Sequence, residues 1–356
     1  MRLPFRRPKP PEGAAPGKLP DAAIPVLWLL GKTGAGKSSL VQALTGLSGA
    51  EVGNGFMPCT RTAEVFDYPP EQPLLRFLDT RGLGETGYDP AGDIAVCEGR
   101  AHAIIVLARL DDPVQGEVTD ALAKVLDRRR MPVILGLTGA DLVPDAAARA
   151  RAAAAIRRQF DAATGSKIDA VEVAMPPGGE PDLGDLRAAL ADVLPQAALL
   201  LAARTARSTE GKAFDRVRRR VLFYAGLAGT SDVAPLIGAV SVPAAQAWML
   251  AELGRHYEQK WTRSMSASFL GALGFGVAAR YAALFGLRQV GKLVPLVGQT
   301  AVAAASGTVS FATTFALGRA AAYFLHHHRT GEAMAPADLR RVYRDALDGA
   351  VRGRSR

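Results

Sequence analysis

The chain has 356 residues, enough for two domains, with 43 Lys and Arg against 34 Asp and Glu and a formal net charge of +9. Its 49% hydrophobic and 22% charged residues exclude a disordered chain. The basic balance suits an anionic partner, either nucleic acid or an anionic membrane face.

Two cysteines, Cys59 and Cys97, form no CxxC and no metal-ligand spacing, so a reduced, cytosolic compartment is expected. Residues 1–20 hold six prolines and the cations Arg2, Arg6, Arg7, Lys9 and Lys18. Such a segment buries too little surface to offset its ordering entropy. It reads as a basic, Pro-rich tail, either a plain leader or an electrostatic tether to anionic lipid. No apolar stretch precedes Pro20, so no signal peptide is expected.

The apolar run 24–30 predicts a strand buried on both faces. It leads into Gly31, Lys32, Thr33, Gly34, Ala35, Gly36, Lys37, Ser38 and Ser39, a complete GxxxxGK[ST] loop, and then into a helix over 37–46. Strand, glycine-rich turn and helix in that order are the context of a phosphate-binding loop. The glycines let backbone approach phosphate oxygens, and the loop N–H groups point at the anion. Lys37 is expected on the β- and γ-phosphates and Ser38 on Mg²⁺.

Residues 51–62 are rich in Gly, Pro and Thr and read as a first switch, with a threonine meeting Mg²⁺ and the γ-phosphate. Thr60 is the choice and Thr62 the alternative. Strands follow at 63–68 and 74–78 around Pro69-Pro70. The second runs into Asp79-Thr80-Arg81-Gly82, where Asp79 is placed to order Mg²⁺ and Gly82 to bring its N–H near a γ-phosphate. Residues 83–92 have the composition of a second switch.

A strand is expected over 102–110, an amphipathic helix over 114–130 with a basic end, and a buried strand over 132–137 that runs into Thr138-Gly139-Ala140-Asp141. A helix over 145–163, a strand over 170–174 and a helix over 183–194 complete the pattern. Alternation of this kind predicts an α/β P-loop NTPase domain, a mostly parallel sheet with helices on both faces, over residues 21–195.

The order P-loop, Thr60, Asp79-Thr80-Arg81-Gly82 and Thr138-Gly139-Ala140-Asp141 resembles a translation-factor-class GTPase of the Era-like type over about residues 26–194. The resemblance implies GTP and GDP as ligands with Mg²⁺. It also implies a water-mediated hold of Asp79 on the metal, and Asp141 accepting two hydrogen bonds from the guanine edge. Three departures stand out. Gly139 replaces the family's Lys, removing the aliphatic cover over the base. Thr138 replaces the commoner Asn. Leu83 follows Gly82 where Ras-like proteins place a catalytic Gln, as in other Era-like proteins. Leu cannot orient water, so intrinsic hydrolysis is expected to be slow unless a partner or a homodimer through the GTPase domain supplies the missing function. A nucleotide-binding scaffold without turnover is the rival reading.

The composition changes from Gln196. A connecting helix is expected over 197–214, then a basic cluster at Arg216, Arg218, Arg219 and Arg220, then an all-α helical domain over 196–330. Its uncharged windows are 233–251 (19 residues), 264–279 (16) and 293–318 (26), dominated by small residues. A membrane span needs about 20 predominantly apolar residues. The windows read either as helices packed through small faces in or on a membrane, or as a soluble Ala-rich bundle. Cations in every connection favour a helical hairpin or shallow seating in the cytoplasmic leaflet over three spans.

Ala234-Pro235-Leu236-Ile237, Gln246 with Met249-Leu250, Tyr257, Lys292-Leu293-Val294-Pro295, and Ala316-Leu317-Gly318-Arg319 before Tyr323-Phe324 resemble the membrane-associated helical module of a group of bacterial Era-like GTPases. This implies membrane association at the cytoplasmic face of the inner (plasma) membrane, with anionic lipid or a membrane protein as partner. Nucleic acid is not expected, since no aromatic RNA platform or GxxG clamp is recognisable. A soluble role in ribonucleoprotein assembly is the alternative. His326-His327-His328 reads as a helix end rather than a metal site, because adjacent helical residues point apart. Residues 331–356 are expected as a basic amphipathic helix with Leu339, Val342, Tyr343, Leu347 and Val351 on one face, docked on the bundle or on lipid.

Overall fold

The structure is a computed structural model and describes residues 18–21, 24–48, 51–52, 57–58, 63–80, 101–176, 178–202, 208–231, 242–274 and 299–352. The chain divides into two compact units, one of residues Ile24–Ala202 and one of Met1–Ala23 with Ala203–Arg356.

The first unit is built on β1 (Val26–Gly31), β2 (Met57–Pro58), β3 (Ala63–Tyr68), β4 (Leu75–Thr80), β5 (Ala103–Arg109), β6 (Val133–Thr138) and β7 (Asp169–Val173). They form one seven-stranded sheet in the order β2-β3-β4-β1-β5-β6-β7. The pairs β1–β4, β1–β5, β5–β6 and β6–β7 are parallel. The β2-β3-β4 edge is antiparallel. Only residues 69–74 join β3 to β4, too few for the crossover that a parallel pair requires, so this connection is a hairpin.

Among the described residues five helices belong to this unit: α1 (Lys37–Thr45), α2 (Gly116–Arg128), α3 (Ala146–Thr164), α4 (Gly184–Val193) and α5 (Pro195–Leu201). Strand β1 explains the continuous apolar run read from the sequence. Val26, Trp28 and Leu30 enter one core with Leu122 and Val125 of α2 and Ile156 and Phe160 of α3. Leu27 and Leu29 enter the other with Leu40, Val41 and Leu44 of α1 and Leu186 and Leu190 of α4. Successive side chains point to opposite faces, so a strand covered on both sides must be apolar throughout.

The second unit holds α6 (Thr209–Ser231), α7 (Val242–His256), α8 (Arg263–Leu273), α9 (Gln299–Thr330) and α10 (Pro336–Arg352). The single connecting helix expected over 197–214 is not what forms. Helix α5 ends at Leu201, and α6 begins at Thr209 and runs through the basic cluster. Arg is a good helix former, and here its charge is neutralised locally. Arg218 pairs with Asp215 at 2.7 Å and Arg220 with Glu252 of α7 at 3.0 Å.

Helix α9 packs on α6, α7 and α10. A Cβ at Gly318 would stand 2.5 Å from Val221 Cγ1 and 2.8 Å from Met249 Sδ, so only glycine allows α9 to lie this close to α6 and α7. Arg319 forms a two-armed ion pair with Glu210, at 2.5 and 2.9 Å, and stacks on Phe214 with its guanidinium 4.6 Å from the ring centre. Gln246 donates to the Thr314 hydroxyl at 3.0 Å within the buried interface. Helix α10 docks on α9 and α8 through buried Leu339 and Tyr343, and Arg340 donates to the Ala272 carbonyl at 3.2 Å.

Among the described residues no helix is long and apolar enough to cross a membrane. Helix α9 has 32 residues, sufficient in length, but it consists largely of Ala, Gly, Ser and Thr and carries Arg319 and three histidines. Parts of all three uncharged windows, 232–241 and 275–298, lie outside the described residues. His326 is buried, and His327 donates from Nδ1 to the Tyr323 carbonyl at 3.0 Å. Among the described residues no three His, Cys, Asp or Glu side chains converge on a metal position.

Candidate functional site

The C-terminal ends of the parallel strands meet at the glycine-rich loop that follows β1. Register places Leu29 beside Asp79 of β4 and Gly31 beside Leu107 of β5. Farther along the sheet, Arg109 of β5 stands beside Thr138 of β6. In open α/β sheets this edge, outside the carboxyl ends of the strands, is where ligands bind.

The loop is shaped by two of its glycines. At Gly31 a Cβ would meet the Leu107 carbonyl oxygen at 2.6 Å, so the turn out of β1 admits no side chain. Gly36 has φ +94° and starts α1 from a left-handed conformation, which aims the helix N-terminus into the loop. Thr33, Ser38 and Ser39 are exposed and Ala35 is buried.

Lys37 is 9% exposed, and its ammonium donates to the carbonyls of Gly31 at 3.0 Å and Lys32 at 3.3 Å. It lies 3.9 Å from Asp79 Oδ1. That carboxylate oxygen is buried and has no hydrogen-bond partner among the described residues. Burial is the main cause that lifts the Asp79 pKa to about 6; Lys37 pulls it down and Glu64 pushes it up. A buried carboxylate oxygen lacking a donor, with the Ser38 hydroxyl in the first turn of α1, is a donor set that fits a hard divalent cation such as Mg²⁺.

Thr138 is 3% exposed and donates its hydroxyl to the Ala35 carbonyl at 2.9 Å, with the Ala108 carbonyl at 3.5 Å. Gly139, at φ +72°, then turns the chain into a short 3₁₀ segment (Ala140–Leu142) that carries Asp141, exposed to solvent. The expected base-reading loop therefore stands beside the phosphate loop. Met175, just beyond β7, is also close: its Cε lies 3.2 Å from where a Cβ on Gly36 would stand.

The Lys32 side chain engages a neighbouring connection rather than the loop itself. Its ammonium pairs with Asp112 at 2.8 Å and donates to the Val114 carbonyl, both on the connection from β5 to α2. Thr60, Thr62, Gly82 and Leu83, with the switch segment 83–92, lie outside the described residues. Sequence reasoning missed Arg109 and Asp111. Arg109 donates from Nε and Nη2 to the two Asp111 oxygens at 2.8 and 2.5 Å, and its Nη1 lies 3.5 Å from the Gly34 carbonyl. No motif marks these residues. Their only signal is an arginine at the end of a strand adjacent to β1, two residues before an aspartate.

Residues 26–138 match the family model described as "50S ribosome-binding GTPase". This segment is a P-loop GTPase domain, a class that binds and hydrolyses GTP. No curated protein matches the chain. Among solved structures, a bacterial selenocysteine-specific elongation factor, EF-Sec, is 18% identical, with TM-score 0.36, over 48% of this chain and 28% of its own. The apo elongation factor SelB of Methanococcus maripaludis is 14% identical, with TM-score 0.30, over 43% of this chain and 30% of its own. An ADP-ribosylation-factor-like GTP-binding protein (small COPII coat GTPase SAR1) of Encephalitozoon cuniculi, in complex with GDP, is 17% identical with TM-score 0.32. That match covers 51% of this chain and 81% of the other. The present chain thus spans under a third of the length of either elongation factor.

Proposed function

We propose that this P-loop GTPase domain works as a slowly hydrolysing guanine-nucleotide switch at the cytoplasmic face of the membrane, with the helical unit as its membrane-associated part. The observation that carries the nucleotide reading is the convergence of Lys37, Asp79 and Thr138 on one loop at the C-terminal edge of the sheet. Backbone of residues 31–36 and the Lys37 ammonium would hold the β- and γ-phosphates. Ser38 and Asp79, joined by Thr60, would hold Mg²⁺, which neutralises phosphate charge as it develops. The Gly82 N–H would sense the γ-phosphate. Asp141 would accept the N1–H and exocyclic N–H of guanine; adenine presents an acceptor at the ring position, which a carboxylate repels.

Slow turnover is proposed from Leu83, whose apolar side chain has no group to orient an attacking water. Membrane association is proposed from the cations that flank each small-residue window. Calorimetric titration with GDP and Mg²⁺ tests the first part: the wild type binds and Lys37→Ala does not. Equal binding by the two proteins would overturn it. Flotation with anionic vesicles tests the second part, and a chain that stays at the bottom of the gradient would refute it.

A second reading, a role in ribonucleoprotein assembly, is favoured by the ribosome-binding description of the matched family and by the net charge of +9. Cosedimentation with the large ribosomal subunit, declining steeply with salt, would support that reading.

A further inference from the structure

We propose that Arg109, oriented by Asp111, is the nucleoside-binding cation of this site and takes the place left by the missing side chain at Gly139. The inference rests on the guanine-nucleotide reading above and adds a residue that no motif contains.

Four observations meet at one point. The Arg109 guanidinium is gripped by both oxygens of Asp111, which fixes its plane. Its free edge reaches the Gly34 carbonyl of the phosphate loop at 3.5 Å. Asp111 Oδ1 lies 3.8 Å from where a Cβ on Gly139 would stand, so the pair occupies the space beside the glycine. Arg109 is also next to Thr138 in the strand register, within electrostatic reach of Asp141. A planar cation is thus held between the loop placed to take phosphates and the loop placed to read the base.

The nucleoside of a ligand that spans those two loops must pass this guanidinium. Arginine stacks on aromatic faces and is weakly hydrated, so a purine ring lying against it gains a cation–π contact. The Arg109 side chain is 39% exposed, which leaves a face open to a ligand. Gly139 cannot easily regain a side chain itself, because its φ of +72° strains any L residue. The purine face is common to guanine and adenine, so Arg109 contributes affinity for the nucleoside and leaves the choice of base to Asp141.

The test is calorimetric titration of the full chain with GDP, ADP and inorganic tripolyphosphate. Arg109→Ala is expected to weaken GDP and ADP together by roughly threefold to thirtyfold, the range for a cation over an aromatic ring, and to leave tripolyphosphate unchanged. Arg109→Lys keeps the charge without the flat fork and is expected to recover only part of the loss. Asp111→Asn is expected to lose less than Arg109→Ala, as a positioning residue should, again with tripolyphosphate unaffected. An unaltered GDP affinity in Arg109→Ala, or an equal loss for tripolyphosphate, would overturn the proposal while the guanine-nucleotide reading stands. Failure of the wild type to bind GDP would remove that reading and this inference with it.

Discussion

The Thr138 hydroxyl reaches the carbonyl of Ala35 at 2.9 Å across 103 residues of chain. Both ends of this bond are buried, and they belong to the two loops that the proposed ligand would bridge. Thr138→Val keeps the branched shape but leaves the Ala35 carbonyl without this donor. A buried acceptor left unpaired costs about 1–3 kcal/mol. Urea denaturation should report a loss in that range for Thr138→Val, together with weaker GDP binding as the two loops lose their tie.

Asp79 makes the site sensitive to pH. Its folded-state pKa of about 6 lies above the unfolded carboxylate value of about 3.9. The folded protein therefore holds this proton more tightly than the unfolded chain does. The stability it gains this way is full below about pH 4 and is lost as pH rises through 6. Mg²⁺ needs the ionised carboxylate, so Mg²⁺-dependent nucleotide affinity should rise between pH 5 and 7 and level off above. Titrations of wild type and Asp79→Asn across that range check this, with a flat and weaker profile expected for the variant.

Gly31→Ala places a methyl group 2.6 Å from the Leu107 carbonyl oxygen, at a backbone contact between β1 and β5. Backbone on both sides cannot swing away as a flexible side chain would. Overpacking of this kind costs about 1–3 kcal/mol. Thermal unfolding should shift down accordingly, with distortion of the phosphate loop read as lost tripolyphosphate binding.

In the helical unit, Arg319→Ala removes the partner of Glu210 and the cation stacked on Phe214. The pair is part-buried, with side chains 20% and 15% exposed, so its loss should fall between the roughly 0.2–1 kcal/mol of a surface pair and the roughly 3–5 kcal/mol of a fully buried one. Trp261, stacked on Phe324 of α9, reports the event. In a Trp28→Phe background, which silences the tryptophan of the sheet, the fluorescence transition in urea should move to lower denaturant. An unchanged midpoint would mean that the pair contributes nothing to the bundle.

The fold of the first unit was legible because its signals are local. A run such as Val26 to Leu30 is apolar at every position since both faces of β1 are covered, and the glycine spacing of 31–36 is dictated by the loop itself. Lys37 and Asp79 could be named from the motifs that contain them, and Asp141 only from the resemblance of Thr138-Gly139-Ala140-Asp141 to a guanine motif. The hairpin between β3 and β4 was implied by the shortness of its connection. The helical unit was less legible. Ala, Arg and small residues are compatible with helix almost anywhere, so the end of α5 and the start of α6 carried no mark, and length alone did not distinguish a membrane span from the packed helix α9.

By itself the sequence determined that a phosphate-binding loop follows a buried strand, that a carboxylate waits at the end of a second strand, and that an Ala-rich helical segment comes after. Only the tertiary structure decided what meets across the sheet. It set the Lys32 side chain on Asp112 rather than toward the loop, hung the turn after β6 on Ala35 through Thr138, and brought Arg109 and Asp111 beside the bare Gly139. Motifs record residues whose partners are near in sequence or common to many proteins. Contacts between strands separated by 75 to 103 residues depend on register and side-chain reach, which exist only once the sheet has formed.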